Sequence, residues 1–251
     1  MVLEDGGVAY VDLVRDEGLD GGEVRLACSA FSPRPVPLET ARPFAPPFIE
    51  LPDGTRISQT ANLMLFVAES CGLAPEERVG KARLLGLLLF VMDVVAEVHD
   101  CHHPVSTKLY YEEQKEEAKR KSVAFTTQRM AQYLGHLDET LAANGGPWLL
   151  GAQCSAGDIA VLQLMLGLHF SFPKAYARSI TPALLSLVER VKQRPKLSVY
   201  LASTRRAHFN HNGIFRSLPE LDLPDEEPVG EEPKRAAASS PTREKRARGP
   251  K

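Results

Sequence analysis

The sequence predicts an α+β fold with a short mixed segment over residues 1–72, an all-helical region over residues 76–216 and a disordered tail over residues 224–251. Three observations support this division: a hairpin pattern followed by a helix start, a series of apolar helical runs, and a change in composition at Pro224. A chain of 251 residues is long enough for one large or two modest domains with a hydrophobic core.

A β-hairpin followed by a helix is predicted near the end of the first third of the chain. Two short apolar or β-branched runs, Phe48–Leu51 and Thr55–Ile57, are separated by Pro-Asp-Gly, a sequence that favours a tight turn. The polar run Ser58–Thr60 then precedes the apolar run Leu63–Val67, as at a helix N-terminus. Because the N–H groups of such a terminus attract anions, a ligand carboxylate would be stabilised there.

The remaining elements follow from periodicity and from helix breakers. Val8–Leu13 is a strand candidate, and four prolines interrupt the stretch 21–45. Apolar residues at helical spacing, with Gly and Pro at the ends, predict six helices, over residues 60–72, 82–99, 112–141, 158–170, 182–193 and 196–206. The helix over 158–170 is nearly all apolar and is expected to lie at the centre of the helical region.

A capping box is predicted at the start of that central helix. In Ser155-Ala-Gly-Asp158, the serine hydroxyl can accept from the Asp158 N–H while the carboxylate reaches back to the Ser155 N–H. This is a structural motif, so it bears on the fold and not on the chemistry.

Composition and charge limit the functions open to the chain. The net charge of −2 gives the whole molecule no bias toward nucleic acid or membrane. Four cysteines without a CxxC pair argue against a disulfide framework or zinc ribbon and favour a reducing compartment. The acidic start lacks the apolar segment of a secretory signal, and Leu84–Met92 is too short to span a bilayer. We therefore expect a cytoplasmic protein with no membrane contact.

The tail over residues 224–251 is acidic at first and basic afterwards, with almost no apolar side chain larger than alanine. Such a segment cannot bury enough surface to fold. Its two basic clusters resemble a bipartite nuclear-import signal, and a solubilising tail is the alternative. Any contact with nucleic acid is expected to be confined to this tail.

The hairpin–helix run and the segment Leu149–Ile159 together resemble the glutathione S-transferase family, most closely its sigma-like branch. The resemblance covers roughly residues 1–206. It implies a thioredoxin-like N-terminal domain, an all-α C-terminal domain and a homodimer. It also implies glutathione as co-substrate and a hydrophobic electrophile as second substrate.

The resemblance also implies which residues hold glutathione. Pro47 matches the cis-proline that begins a strand in the family, and Gln59 and Thr60 match the pair that holds the γ-glutamyl end. Pro46 takes the place of a residue whose backbone pairs with the cysteinyl part, but a proline has no N–H and can only accept. The Pro-Pro sequence permits a cis bond without requiring one.

Asp93 and Glu97 are a further pair that the resemblance singles out, because an acidic residue on this helix approaches the glutathione of the partner subunit in some branches. An exposed or interface carboxylate is the alternative for both residues.

The start of the chain departs from the family pattern. Met1–Gly6 resembles the end of the family's first helix, so we expect the first strand, most of that helix and the catalytic Tyr, Ser or Cys to be missing. Tyr10 lies in a different strand, and no catalytic residue is assigned. Two hypotheses follow: a glutathione-conjugating enzyme, or a transferase fold that serves as a non-catalytic binding or dimerisation module.

The run His99-Asp-Cys-His102-His103 is rich in potential metal ligands, since imidazole, carboxylate and thiol groups bind zinc and other transition metals. Histidines at a helix C-terminus are also favoured by the helix dipole, and a substrate contact is a third interpretation. No metal ligand is assigned from the sequence.

Overall fold

The structure is a computed structural model, and it describes residues 1–13 and 43–224. The predictions for most of the proline-rich stretch 21–45 and for the tail beyond Pro224 lie outside the described residues. The helices and strands of the described part, in chain order, are α1 (Val2–Gly6), β1 (Phe48–Glu50), β2 (Arg56–Ser58), α2 (Thr60–Ser70), α3 (Arg78–Asp100), α4 (Lys115–Ala124), α5 (Met130–Ala143), α6 (Ala156–Ser171), α7 (Pro173–Ser179), α8 (Pro182–Lys192) and α9 (Pro195–Ala202).

The predicted hairpin is confirmed. Strands β1 and β2 are antiparallel, with Phe48 opposite Ser58 and Glu50 opposite Arg56. The turn is closed by the Gly54 N–H, which donates to the Leu51 carbonyl at 2.9 Å. Gly54 has φ 84, a conformation that costs a glycine little and most other residues much more.

The strand prediction for Val8–Leu13 is wrong. No strand of the described part pairs with this segment, and the Val8 N–H instead donates to the Leu3 carbonyl as the chain leaves α1. Alternating apolar residues form a strand only where a neighbouring edge supplies hydrogen bonds.

Helix α6 lies at the centre of the helical region, as predicted. It packs against α3, α7 and α8, and its side chains are buried almost all round, since a helix that is apolar on every face needs neighbours on every side. The largest fully buried side chains of α6 are Ile159, Leu162, Leu164, Met165 and Leu168.

The long helix predicted over 112–141 is one continuous helical run of four parts. A 3₁₀ turn at Tyr111–Gln114 leads into α4, a π turn follows at Phe125–Arg129, and α5 completes the run. A π turn contains one residue more than an α-helical turn. It therefore rotates the apolar face of α5 relative to that of α4, and a constant apolar periodicity does not predict this rotation.

Helix α1 is held to the helical region by a partly buried ion pair. The Asp5 carboxylate, with its side chain 2% exposed, accepts from the Arg194 Nε at 2.9 Å and from its Nη2 at 2.6 Å. This contact joins the start of the chain to the loop between α8 and α9. No helix of the described ranges is long and apolar enough to cross a membrane.

Candidate functional site

The candidate site lies where the hairpin meets α2. The Pro46–Pro47 peptide bond is cis, and Pro47 directly precedes β1. Because Phe48 pairs with Ser58, the chain enters β1 through Pro47 and leaves β2 through Gln59 at the same end of the hairpin. The register therefore brings these two predicted residues together, although they are far apart in sequence.

Gln59 has an unusual backbone conformation. Its φ of 70 makes it the one non-glycine residue with positive φ in the described part of the chain. Conformations of this kind cost about 1–3 kcal/mol and cluster at functional sites. At the N-cap position, the Gln59 carbonyl accepts the first helical bond from the Leu63 N–H at 2.9 Å.

The first turn of α2 carries backbone N–H groups that have no acceptor within the helix. The side chain of the N-cap residue Gln59 does not cap them. Pro46, Pro47 and Gln59 are exposed, and Thr60 is half-buried. The helix dipole adds a partial positive charge at this end. The arrangement therefore suits a carboxylate at the start of α2 with a hydrogen-bond donor at the Pro46 carbonyl.

Tyr10 is not a candidate for a thiol-activating hydroxyl. Its Oη donates to the Glu4 carboxylate at 2.6 Å and accepts from the Arg205 Nη2 at 3.1 Å. Partial burial, with the Glu4 carboxylate next in effect, raises the pKa of this phenol to about 12. The hydroxyl is engaged within its own chain. The sequence argument against Tyr10 rested on a strand over Val8–Leu13, which the structure does not contain.

Asp93 and Glu97 lie on α3 in different surroundings. Asp93 is exposed. The Glu97 carboxylate accepts from the Arg129 Nη2 at 2.7 Å and from the Tyr133 hydroxyl at 2.5 Å, and Arg129 also contacts Tyr133. The Arg129 hydrogen bonds hold the pKa of Glu97 below its usual range. Glu97 thus joins α3 to the π turn and α5, and its contact with a partner subunit stays a prediction.

Ser155 and Asp158 form a capping box at the start of α6. The Asp158 carboxylate, 0% exposed, accepts from the Ser155 N–H at 2.8 Å and from its hydroxyl at 2.9 Å. It also accepts from the Leu149 N–H at 2.8 Å. This third bond reaches nine residues back along the chain, and a four-residue motif gives no sign of it.

The structure brings His99, His102 and His103 together at the end of α3, with their potential ligand atoms within 4.8 Å of one another. Burial lowers the pKa of all three imidazoles, and that of His102 to about 4. The Arg216 guanidinium lowers each further, while Asp100 acts in the opposite direction on His99.

The comparisons with known proteins agree with this architecture. A family model described as "Glutathione S-transferase, C-terminal domain" matches residues 99–204. A search of curated proteins found no match.

Solved structures with the same fold include a Pi-class glutathione S-transferase of Onchocerca volvulus, at 19% identity and TM-score 0.58, covering 79% of this chain and 83% of that one. A glutathione S-transferase of Ascaris lumbricoides matches at 17% identity and TM-score 0.57, covering 80% and 87%. A Nu-class enzyme of Haemonchus contortus matches at 20% identity and TM-score 0.56, covering 82% and 89%.

The chain therefore has the glutathione S-transferase fold, with its helical C-terminal domain and a two-stranded antiparallel sheet in the described part of the N-terminal region.

Proposed function

We propose that this chain is a glutathione transferase-like protein that binds glutathione where the β1–β2 hairpin meets α2. The observation that carries the proposal is the positive φ of Gln59. This residue is the N-cap of α2, and it lies at the same end of the hairpin as Pro47. Local strain of this kind is retained where the surrounding structure requires it, and such places are often ligand sites.

Each residue has a distinct role in this proposal. The γ-glutamyl carboxylate lies against the first N–H groups of α2, and the Thr60 hydroxyl and Gln59 amide bind the same end of the ligand. Pro47 sets the direction of the chain into β1. Pro46 offers only its carbonyl to the cysteinyl part, so this contact is one hydrogen bond weaker than a residue with an N–H would give.

In the enzyme form of the proposal, the glutathione thiol loses its proton to solvent and the bound thiolate attacks a hydrophobic electrophile such as an aryl halide. The carbon–sulfur bond of a thioether forms as the carbon–halogen bond breaks and halide leaves. A hydrogen bond or positive charge at the sulfur lowers the thiol pKa and raises the thiolate fraction. No described residue is assigned this role. The engaged Tyr10 hydroxyl and the missing N–H of Pro46 favour the second candidate, a non-catalytic binding or dimerisation module.

We also propose the domain bounds, the branch of the family, a dimer contact and the cellular location. Residues 1–72 and 76–216 are proposed as the glutathione-binding and helical domains, within the sigma-like branch. Asp93 is proposed to face the glutathione of a partner subunit in a homodimer. A cytoplasmic location is also proposed, with the basic tail serving either as a solubilising segment or as a nuclear-import signal.

Two measurements on the full chain test it. Calorimetric titration with reduced glutathione is expected to give saturable binding that Thr60→Val weakens about fivefold, since one hydrogen bond contributes about 1 kcal/mol. Thr140→Val, in α5, is the matched control and is expected to leave binding unchanged. Glutathione conjugation to an aryl halide then separates the two candidates.

Binding with turnover supports the enzyme, and binding without turnover supports the module. If the chain binds no glutathione, or if Thr60→Val and Thr140→Val behave alike, the proposal is overturned.

A further inference from the structure

The three histidines lie on one face at the C-terminal end of α3. The helical turn continues past Asp100, because the N–H groups of His102 and His103 donate to the His99 carbonyl at 3.1 and 3.0 Å. The i, i+3 and i+4 positions of a helix are neighbours. The ring centroids accordingly form a nearly equilateral triangle, with sides of 5.0, 5.1 and 4.9 Å.

His102 offers a lone pair that nothing in the described structure uses. Its Nε2 lies 2.8 Å from the Ile214 carbonyl, which can only accept, so Nε2 carries the ring proton. Its Nδ1 is then an acceptor, and this atom is buried without a hydrogen-bond partner in a residue that is 2% exposed. A buried acceptor without a partner is costly and is rarely found without a reason.

His103 is held in the neutral form by Gln114. The Gln114 Oε1 accepts from the Val105 N–H at 2.9 Å, which fixes its Nε2 as a donor to the His103 Nδ1 at 2.9 Å. The same Nε2 also lies 3.0 Å from the Ser106 carbonyl. If the His103 ring turned to bind a metal, Gln114 would therefore keep another acceptor.

The surroundings resemble the outer shell of a metal centre. A ligating histidine usually donates its second ring nitrogen to a carbonyl or carboxylate, which fixes the tautomer, and the Ile214 carbonyl meets this need for His102. The positive charge of Arg216 lowers the pKa of all three imidazoles. Its positive charge opposes a bare cation, and it favours an anionic group at any remaining coordination position.

We propose that His99, His102 and His103 bind one divalent transition metal ion of the zinc type, with the fourth position open to water or an anion. Neutral imidazole is a preferred ligand for such ions, at about 2.0–2.1 Å in a tetrahedral arrangement. That geometry separates ligand nitrogens by about 3.3 Å, so ring rotations must bring the present atoms about 1–1.5 Å closer. The proposal does not depend on glutathione binding.

The test uses the untagged full-length protein after treatment with a chelator. Zinc chloride is titrated by calorimetry, and cobalt(II) is titrated by visible absorption, which reports tetrahedral coordination. We expect one ion per chain. His99→Gln and His103→Gln are each expected to weaken zinc binding by at least about 100-fold, more than the loss of an outer-shell partner, and to abolish the cobalt bands.

Controls separate ligand loss from misfolding. His211→Gln changes an exposed histidine outside the cluster and is expected to bind zinc like the unaltered chain. Because His102 is buried, His102→Gln is used at this position: its amide nitrogen takes the place of Nε2 and keeps a donor for the Ile214 carbonyl. Circular dichroism checks the fold of every variant. The proposal is overturned if the unaltered chain binds no stoichiometric zinc at micromolar concentration, or if folded His99 and His103 variants bind as tightly as the His211 control.

Discussion

At the residue scale, Gln59 has both a strained backbone conformation and a proposed role in glutathione binding. Gln59→Gly removes the side chain that disfavours φ 70, so we expect the free energy of unfolding to rise by about 1 kcal/mol. The same change removes the amide proposed to hold glutathione and gives the backbone more freedom, so binding should weaken. Urea denaturation and glutathione calorimetry on one preparation check both effects.

A loss of stability in Gln59→Gly would show that the conformation carries no strain. Unchanged glutathione affinity would show that Gln59 takes no part in binding. The control is Gln128→Gly, at an exposed position in the π turn, which is expected to lower stability because glycine is a poor helix former.

Asp158 supports the start of α6 from a fully buried position. Asp158→Ala leaves the N–H groups of Leu149 and Ser155 without their acceptor, and we expect a loss of about 3 kcal/mol in unfolding free energy. Ser155→Ala removes the hydroxyl of the capping box but leaves the carboxylate in place for the Leu149 and Ser155 N–H groups, so it should cost about 1 kcal/mol. Equal losses in the two variants, measured by urea denaturation, would contradict the central role of the carboxylate.

These residues show what a sequence can predict at this scale. Ser155 and Asp158 were predictable because a capping box is defined within four residues. The positive φ of Gln59 was not, since glutamine has no preference for that conformation and only the hairpin–helix junction imposes it. The partners of Glu97 lie 32 and 36 residues away, beyond any local pattern.

At the element scale, Glu220 joins the C-terminal 3₁₀ turn, Pro219–Leu221, to the start of α4. Its carboxylate accepts from the Tyr111 hydroxyl at 3.2 Å and lies 3.1 Å from the Lys115 Nζ. The backbone N–H of Glu220, with Lys115 next in effect, lowers the pKa of this carboxyl below 4.5.

A lowered pKa in the folded state means that the unfolded chain binds more protons in this range. The stabilisation from Glu220 is therefore present above about pH 4.5 and is lost as the pH falls through the folded pKa. We expect Glu220→Gln to flatten this part of the stability–pH curve slightly, because the group is partly exposed. Glu139→Gln, at an exposed position of α5, is the control. Parallel curves for Glu220→Gln and the unaltered chain would contradict the assignment.

Helices were predicted better than the connections between them. Apolar periodicity located each long helix, because burial of one face decides helix position. The π turn at Phe125–Arg129 and the non-strand conformation of Val8–Leu13 depend on packing between distant segments. Neither feature has a signature in its own residues.

At the scale of the whole molecule, the segment after α9 closes the helical region. Phe209 stacks on Phe170 at 5.1 Å, and Phe215 is buried against Gly167 of α6, where a Cβ would lie 2.4 Å from the ring. Asp222 accepts from the Lys174 N–H at 2.8 Å and so caps α7. Residues 208–224 therefore belong to the folded unit.

Two truncations test this conclusion. A chain that ends at Pro224 is expected to unfold at the same urea concentration as the full chain, because the removed tail has a composition that does not fold. A chain that ends at Ala207 is expected to lose at least about 3 kcal/mol, the usual cost of removing one buried aromatic side chain. Equal stability of the two truncated chains would show that residues 208–224 contribute nothing to the free energy of unfolding.

The architecture as a whole was predictable because two motifs, the hairpin before α2 and the capping box of α6, occur at the right separation in one chain. The sequence predicted only part of the histidine cluster at the end of α3. The spacing of its three histidines is local, but the Ile214 carbonyl that orients His102 lies 112 residues away.

The central claim is that glutathione binds where the hairpin meets α2. The most direct test is an amide chemical-shift titration of the ¹⁵N-labelled full chain with reduced glutathione. We predict saturable shifts concentrated at Thr60, Ala61 and Asn62, with smaller shifts at Phe48. Cysteinylglycine, which lacks the γ-glutamyl group, should leave the α2 amides unmoved. Absence of saturable shifts, or shifts confined to regions away from the start of α2, would contradict the claim.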